Sequence, residues 1–329
     1  VLDLDGSLSL EADGSAGGLN GSGSLELNGQ TLQIQAASGQ THTYEGTLGE
    51  GTLDVSGAGT QVLRSSGADT GLTISGGNLV LQGKADVDGA RLSYGNLVNS
   101  GNLTIQASDN SLTAVNTTLS VENVSFSSGS STTFTLNTDA DMTASFIEAS
   151  GDVVIEDGAS FHVTSIPDVN ITWKSGNPME LTLMELTGDG TIDLGENTLT
   201  VGGLFLTYYK NAHLVQEGDK VVLKAEEQTD NVYAGVADTA NSMAGANLLW
   251  DAARHGSIDQ AVTDFLGALN NDMLNNPSAA RRSLAAAAGS TVNALGTAQK
   301  DALRDQMGWI RNRTTLMGVN PAYVNDDLP

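Results

Sequence analysis

The feature that most constrains this chain is a short unit that keeps returning from its first residues onward: a turn made of Gly, Asn, Asp or Ser, then an apolar-x-apolar step. The steps are Leu8/Leu10, Leu25/Leu27, Leu32/Ile34, Leu53/Val55, Leu72/Ile74 and Leu79/Leu81, then Leu103/Ile105, Leu119/Val121, Phe134/Leu136, Val153/Ile155, Phe161/Val163 and Leu181/Leu183. Period-2 alternation marks strands that bury one face. Each is only about 3 to 5 residues long, too short to be stable as an isolated hairpin. Such strands need neighbours above and below. A sandwich or barrel needs longer strands joined by regular hairpin turns, and the Asn28-Gly29 turn does not recur at regular intervals. A parallel β-solenoid accepts short strands joined by loops of varied length. The segment 95–105, GNLVNSGNLTI, repeats its Gly-Asn-Leu step six residues on. Asn and Ser at equivalent turns are expected to hydrogen-bond along the stack as ladders. With about 20 to 24 residues per coil and about 4.8 Å between strands, roughly 10 coils make a rod of about 50 Å.

Composition agrees with a long, thin core. Gly 39, aromatics at 5% and apolar content of 39% suit frequent turns and small side chains. The formal charge is −25, with 7 Lys+Arg against 30 Asp+Glu through Asp230 and 7 against 9 beyond it. An acidic surface repels phosphates and anionic lipid, which excludes nucleic acid as a partner of the first part. The absence of Cys excludes disulfides, thiolate metal sites and a Cys nucleophile. No apolar run is long enough to span a bilayer as a helix.

The character of the chain changes after residues 198–226, TLTVGGLFLTYYKNAHLVQEGDKVVLKAE. Leu199/Val201, Leu204/Leu206 and Val221/Leu223 read as three alternating strand steps, turned by Gly202-Gly203 and by Glu217-Gly218-Asp219. Tyr208 and Tyr209 beside Lys210-Asn211 suit a rim that closes a core. This segment reads as the end cap of the stack. Residues 1–228 form the β part, with the cap at 181–226, and residues 229–329 form a helical part. There, 240–253 is helical in composition through Met243, Leu248, Leu249 and Trp250, with Gly256 as a stop. Ser257 and Gln260 make a capping box ahead of a face built by Ile258, Val262, Phe265/Leu266 and Leu269. Pro277 starts a further helix. In 291–317, Leu303, Met307, Ile310, Thr314 and Met317 form a narrow apolar face flanked by Arg304 and Arg311.

The chemistry-bearing residues do not assemble into a catalytic pattern. His42, His162, His213 and His255 lack partners at metal-ligand spacing. Asp3/Asp5, Asp86/Asp88 and Asp139/Asp141 lack a Ca²⁺ loop around them. Few cations and no grouped aromatics accompany the carboxylates, so a glycan-active enzyme is the weakest reading, and no cofactor is expected. Residues 166–180, IPDVNITWKSGNPME, interrupt the pattern and offer Trp173 and Lys174 as a contact loop for an adhesin that binds host glycan or a surface protein. Asn270-Asn271 and Asn275-Asn276 raise the question of a side-chain amide attacking its own carbonyl.

The segments LTYYKNAHLVQEGDKVVLKAEEQTDNVYAG (206–235) and IRNRTTLMGVNPAYVNDDLP (310–329) carry a resemblance to the passenger-to-barrel region of bacterial autotransporters, type V secretion, and the last part is similar to those of Akkermansia-like Verrucomicrobia. The resemblance implies a right-handed parallel β-helix followed by a C-terminal α-helical region. It implies a non-catalytic passenger stalk on the bacterial cell surface, anchored by its own outer-membrane β-barrel, which begins beyond Pro329. Leu204, Leu206, Tyr208, Tyr209, Val221 and Leu223 would then belong to an autochaperone-like folding cap. Leu303, Met307, Ile310, Arg304 and Arg311 would belong to the helix leading into the pore.

Overall fold

The computed structural model describes residues 1–83, 90–106, 117–136, 146–165, 179–255 and 260–287. The chain groups into two units, Val1–Asp230 with Ser257–Leu274, and Asn231–Gly256 with Asn275–Pro329.

The first unit is mainly β. Strands adjacent in a sheet are not adjacent in sequence. One sheet runs through Leu2–Leu4, Leu19–Gly21, Thr41–Tyr44, Thr60–Leu63, Asn78–Gln82, Asn102–Gln106, Ser131–Leu136, Ser160–Ser165 and Thr198–Val201. A second runs through Gly14–Ala16, Thr31–Ile34, Gly51–Val55, Thr70–Ile74, Leu97–Asn99, Val124–Phe126, Val153–Ile155 and Ile192–Leu194. A third side is made first by Ser7–Ser9, Ser24–Glu26 and Thr47–Leu48, then by Arg91–Ser93, Thr118–Val121, Ile147–Ala149 and Met179–Leu186. Among the described residues, every pairing between these strands is parallel. At about 4.8 Å per strand, the nine-stranded sheet is roughly 40 Å long.

Register explains why the apolar steps recur. Leu32 lies opposite Leu53, Leu53 opposite Leu72, and Leu72 opposite Leu97, so each apolar residue rests on another one level away. The expected steps from Leu25/Leu27 through Leu181/Leu183 are buried, whereas Leu8 and Leu10, at the first level, are half-exposed. The expected 20 to 24 residues per level is too uniform. Stacked partners are 17 residues apart at Asp3 and Asn20 and 39 apart at Asp152 and Thr191. The early levels are filled by Leu and Ile. The later ones take Phe126, Phe134, Phe146 and Phe161, four of the six phenylalanines. The Phe126 and Phe161 rings meet edge-on at 5.2 Å, as do Phe134 and Phe146.

Polar residues also point inward, at positions the apolar steps do not announce. His42, Gln61, Asn99 and Thr132 are buried within the columns. Gln61 acts where the first sheet is incomplete: only Gly21↔Tyr44 pairs Leu19–Gly21 with Thr41–Tyr44. Its Oε1 accepts from the Leu19 N–H at 3.0 Å and its Nε2 donates to the Leu19 carbonyl at 2.8 Å, so a side-chain amide replaces missing backbone bonds. Asn99 Nδ2 donates to Thr132 Oγ1 at 3.0 Å, and its Oδ1 accepts from the Gly101 N–H at 3.0 Å. At the first corner, Gly46 admits close backbone approach, because a Cβ there would lie 1.9 Å from the Gly23 carbonyl. The buried Tyr44 hydroxyl sits 2.8 Å from the carbonyls of Gly23 and Thr47, and burial pushes its pKa up to about 12.

The expected turn ladder is present. Asn123 Nδ2 donates to Asn96 Oδ1 at 2.7 Å, Asn123 Oδ1 accepts from the Asp152 N–H at 2.7 Å, and Asp152 Oδ1 accepts from the Thr191 N–H at 2.8 Å. Those Thr191 bonds hold the Asp152 carboxyl below its ordinary range. Asn102 bonds Asn78 in the same way at 2.9 Å.

In the second unit, helix Ala240–His255 begins with a reciprocal cap: Thr239 Oγ1 accepts from the Ser242 N–H and Ser242 Oγ accepts from the Thr239 N–H. Its buried residues include Ser242, Ala246, Leu249 and Ala253, whereas Met243 and Leu248, part of its apolar content, are exposed. Small residues at three- and four-residue spacing form the inner face. Tyr233 is buried and meets Trp250 edge-on, with the Arg254 guanidinium 5.3 Å from the Trp250 ring. Residues 277–287 are helical, as Pro277 announces. Residues 291–317, with Leu303, Arg304, Met307, Ile310 and Arg311, lie outside the described residues.

Truncating the core and breaking the ladder should have different costs. Phe161→Ala should destabilise by about 3–5 kcal/mol, and Asn123→Ala by about 1 kcal/mol, read from urea midpoints at unchanged slope.

Candidate functional site

Parallel sheets of short strands end on an unpaired edge, and such edges recruit other strands. The third side ends differently from the other two. Met179–Leu186 pairs in parallel with Ile147–Ala149, and its other edge receives Lys220–Glu227 in antiparallel register. Tyr209–Glu217 then pairs antiparallel with Lys220–Glu227 through a two-residue turn at Gly218-Asp219, where Gly218 has φ +59°. Positive φ suits Gly at this hairpin position. Val221 and Leu223 are fully buried, as expected of cap residues. Bulges lie between Thr182 and Met184 and between Lys210 and His213, where Asn211 has φ +54°. The interruption expected to run to Glu180 ends earlier, since a strand starts at Met179; Trp173 and Lys174 lie outside the described residues.

The Leu204/Leu206 step is a correction. After Gly202-Gly203 the chain makes one helical turn, Phe205–Tyr208, instead of a strand. Helical spacing turns Phe205 and Tyr208 inward and leaves Leu206 half-exposed, while Leu204 is buried. Tyr208 and Tyr209 are also buried, not at a rim, and the Phe205 and Tyr209 rings lie 4.9 Å apart. The Tyr208 carbonyl accepts from the Gln228 N–H at 2.7 Å, and the Leu204 N–H donates to Ser165 Oγ at 3.1 Å. These bonds tie the turn to the hairpin and to the nine-stranded sheet.

Helix Gln260–Asn275 adds the last contact. Leu266 and Leu269 are buried as expected, and so are Thr263 and Asn270. Asn270 Nδ2 donates to the Gly203 carbonyl at 2.6 Å and to Thr207 Oγ1 at 3.0 Å. Its amide nitrogen is therefore committed to the cap, which disfavours attack on its own carbonyl. The sequence signal for this contact is a polar residue on an otherwise apolar helical face, and Phe205, Thr207 and Asn270 are the site residues that strand alternation alone misses.

The lysines of the cap are paired. Lys224 Nζ lies 2.5 Å from Glu217 and 3.2 Å from Glu180, and these hydrogen bonds, Glu217 first, raise its pKa. Lys220 pairs with Glu185 and Lys210 with Asp230. His162, on the outer face of the nine-stranded sheet, has Nδ1 2.8 Å from Thr200 Oγ1, and burial lowers its pKa. His213 is exposed, and Asp3 accepts from Asn20 rather than facing a cation. Among the described residues, no group of three or more His, Asp or Glu side chains is placed to hold a metal ion.

Two outcomes follow. Asn270→Ala should lower stability by about 1–3 kcal/mol, since it removes the hydrogen bond to the Gly203 carbonyl, as measured by chemical unfolding. A depressed folded-state His pKa contributes stability that is lost as pH falls through the ordinary imidazole range near about 6.5. Stability should therefore drop below that pH, and His162→Gln should flatten this part of the profile. No protein-family model, no curated protein and no solved structure matches the chain.

Proposed function

We propose that residues 1–228 form a right-handed parallel β-helix acting as a non-catalytic stalk, the passenger of a type V autotransporter on the bacterial cell surface. Its last coils act as a template on which the rest folds after export. Sheets of short strands stacked in parallel register support the solenoid, and the strong preference of parallel crossovers for one hand supports right-handedness. The partner on this reading is the protein's own outer-membrane β-barrel, reached through the helical region.

The observation that carries the template role is the closed end. A parallel ladder of short strands has a nucleation problem, because the loop-closure cost of each level precedes its contacts. The antiparallel pair Tyr209–Glu217 and Lys220–Glu227 needs only a two-residue turn, so it forms locally and then presents one edge to Met179–Leu186. Phe205, Tyr208 and Tyr209 supply buried aromatic surface at that end. No charged constellation competes with this structural role among the described residues.

Replacing Tyr208 and Tyr209 together by Ala should slow refolding of the upstream β region by about tenfold or more, as in a nucleus whose contacts form early. Stopped-flow refolding followed by far-ultraviolet circular dichroism measures this. A changed unfolding rate with an unchanged refolding rate would place the cap outside the nucleus and contradict the template role.

A further inference from the structure

The acidic charge of the β part is not spread evenly over its outer faces. The second sheet carries Asp54 and Asp193 on its outside, with Asp152 at the turn beside it, and the third side carries Glu26, with Glu148 and Glu185 paired to Arg91 and Lys220. The nine-stranded sheet differs. Its outer column from Thr41 and Thr60 through Asn78 and Asn102 to Ser160 and Thr198 contains no charge. The neighbouring column follows Asp3 and Asn20 of the first two strands and is uncharged over the next seven, from Thr43 through Val62, Val80, Thr104 and Thr133 to His162 and Thr200, with His162 held toward its neutral form. An ordinary protein surface with about 25–35% charged residues would place roughly four charges on so many positions.

This face has free hydrogen-bonding capacity. The hydroxyls of Thr43, Thr60, Thr104 and Thr133 make no hydrogen bond among the described residues, and the side chains are exposed or half-exposed. Val62 and Val80 put methyl groups between them. A shallow open depression of about 460 Å³ is lined by Thr43, Thr60, Val62 and Val80 together with Arg64 and Gln82. Arg64 is committed to Glu45 and Gln82, at 3.0 and 2.9 Å, so it offers no unbalanced charge.

We propose that this face binds an uncharged polysaccharide laid along the stack, across the strands. The chemistry matches on three counts. Hydroxyls and methyl groups alternate, as on the two kinds of surface that a hexose ring presents. The pattern repeats at each strand, about 4.8 Å on, a spacing comparable to the advance of an extended hexose polymer per sugar. The absence of charge disfavours cationic and anionic ligands alike, while the acidic neighbouring faces repel polyanions. A second copy of the chain fits less well. Seven strands by two or three columns give about 400 Å², half of the about 800 Å² per partner usual in a stable complex. The proposal is independent of the stalk reading, since such a face binds whether or not the cap templates folding.

The test uses the full chain, insoluble β-linked glucan and neutral xylan as probes, and polygalacturonate as an anionic control, in pull-down and affinity electrophoresis. A double variant, Thr60→Glu with Thr104→Glu, places charge on the face at positions that do not enter the core. Retention on a neutral polymer, reduced tenfold or more in this variant at unchanged melting temperature, is the expected result. A milder pair, Thr60→Val with Thr104→Val, keeps the shape and removes only hydroxyls, and it should weaken retention while preserving the fold should the charged pair unfold. No retention on either neutral polymer, or retention equal in both variants, overturns the proposal. So does stronger binding to polygalacturonate, or concentration-dependent dimerisation that the Glu variant abolishes, which would make the face a self-association surface.

Discussion

The structure depends on satisfying both edges of very short strands. A strand of three to six residues offers few backbone donors and acceptors and little apolar area, so it is stable only when a strand above and a strand below complete its hydrogen bonds. Parallel stacking does this while aligning equivalent side chains, which lets a Leu at one level rest on a Leu at the next. Where a level pairs imperfectly, a side chain completes the bonding: Gln61 reaches across to the Leu19 backbone, and Asn20 Oδ1 accepts from the Thr43 N–H at 3.0 Å. Where the third side ends, an antiparallel hairpin occupies the edge that a further level would have used.

The same constraint accounts for the distribution of residue types. As stacked partners move from 17 to 39 residues apart in sequence, Leu gives way to Phe in the core. Phe134 and Phe161, on neighbouring strands of the nine-stranded sheet, stack on one another, and Phe126 of the second sheet meets Phe161 edge-on. Outside, the Asn, Ser and Asp of the turns do for polar groups what the apolar columns do inside. They pair with a residue one level away, and the acidic side chains on the outside keep a glycine-rich surface in solution.

Much of this was legible in the amino-acid sequence because period-2 alternation needs only a few residues to register. Leu72/Ile74 and Val153/Ile155 announce their strands plainly. The strands at Thr41–Tyr44 and Thr60–Leu63 do not, because His42 and Gln61 occupy inward positions, and their burial depends on partners at Gly18 and Leu19 that no local pattern reveals. Alternation also misleads when the backbone changes period. Beyond Gly202-Gly203 the same residues that read as Leu204/Leu206 make a helical turn, and Phe205 replaces Leu206 on the inner side. In helix Ala240–His255 composition announces the helix but not its inner face, since the large apolar Met243 and Leu248 are exposed while Ala246 and Ala253 are buried. Asn270 was visible only as a polar residue on an apolar stripe; its partners at Gly203 and Thr207 come from far away in sequence.

Register is the quantity on which all of this turns, and the absence of native cysteine allows it to be read directly. The most direct measurement is disulfide formation in the double variants Val62→Cys/Val80→Cys and Val80→Cys/Thr104→Cys, whose positions pair on neighbouring parallel strands. Val62→Cys/Thr104→Cys, two strands apart, is the control. Cα separations near about 5 Å permit a bridge, whereas roughly twice that distance does not. The parallel stack predicts rapid intramolecular oxidation in the first two variants and none in the control. Bridging in the control, or failure in both neighbouring pairs in a folded protein, would contradict it.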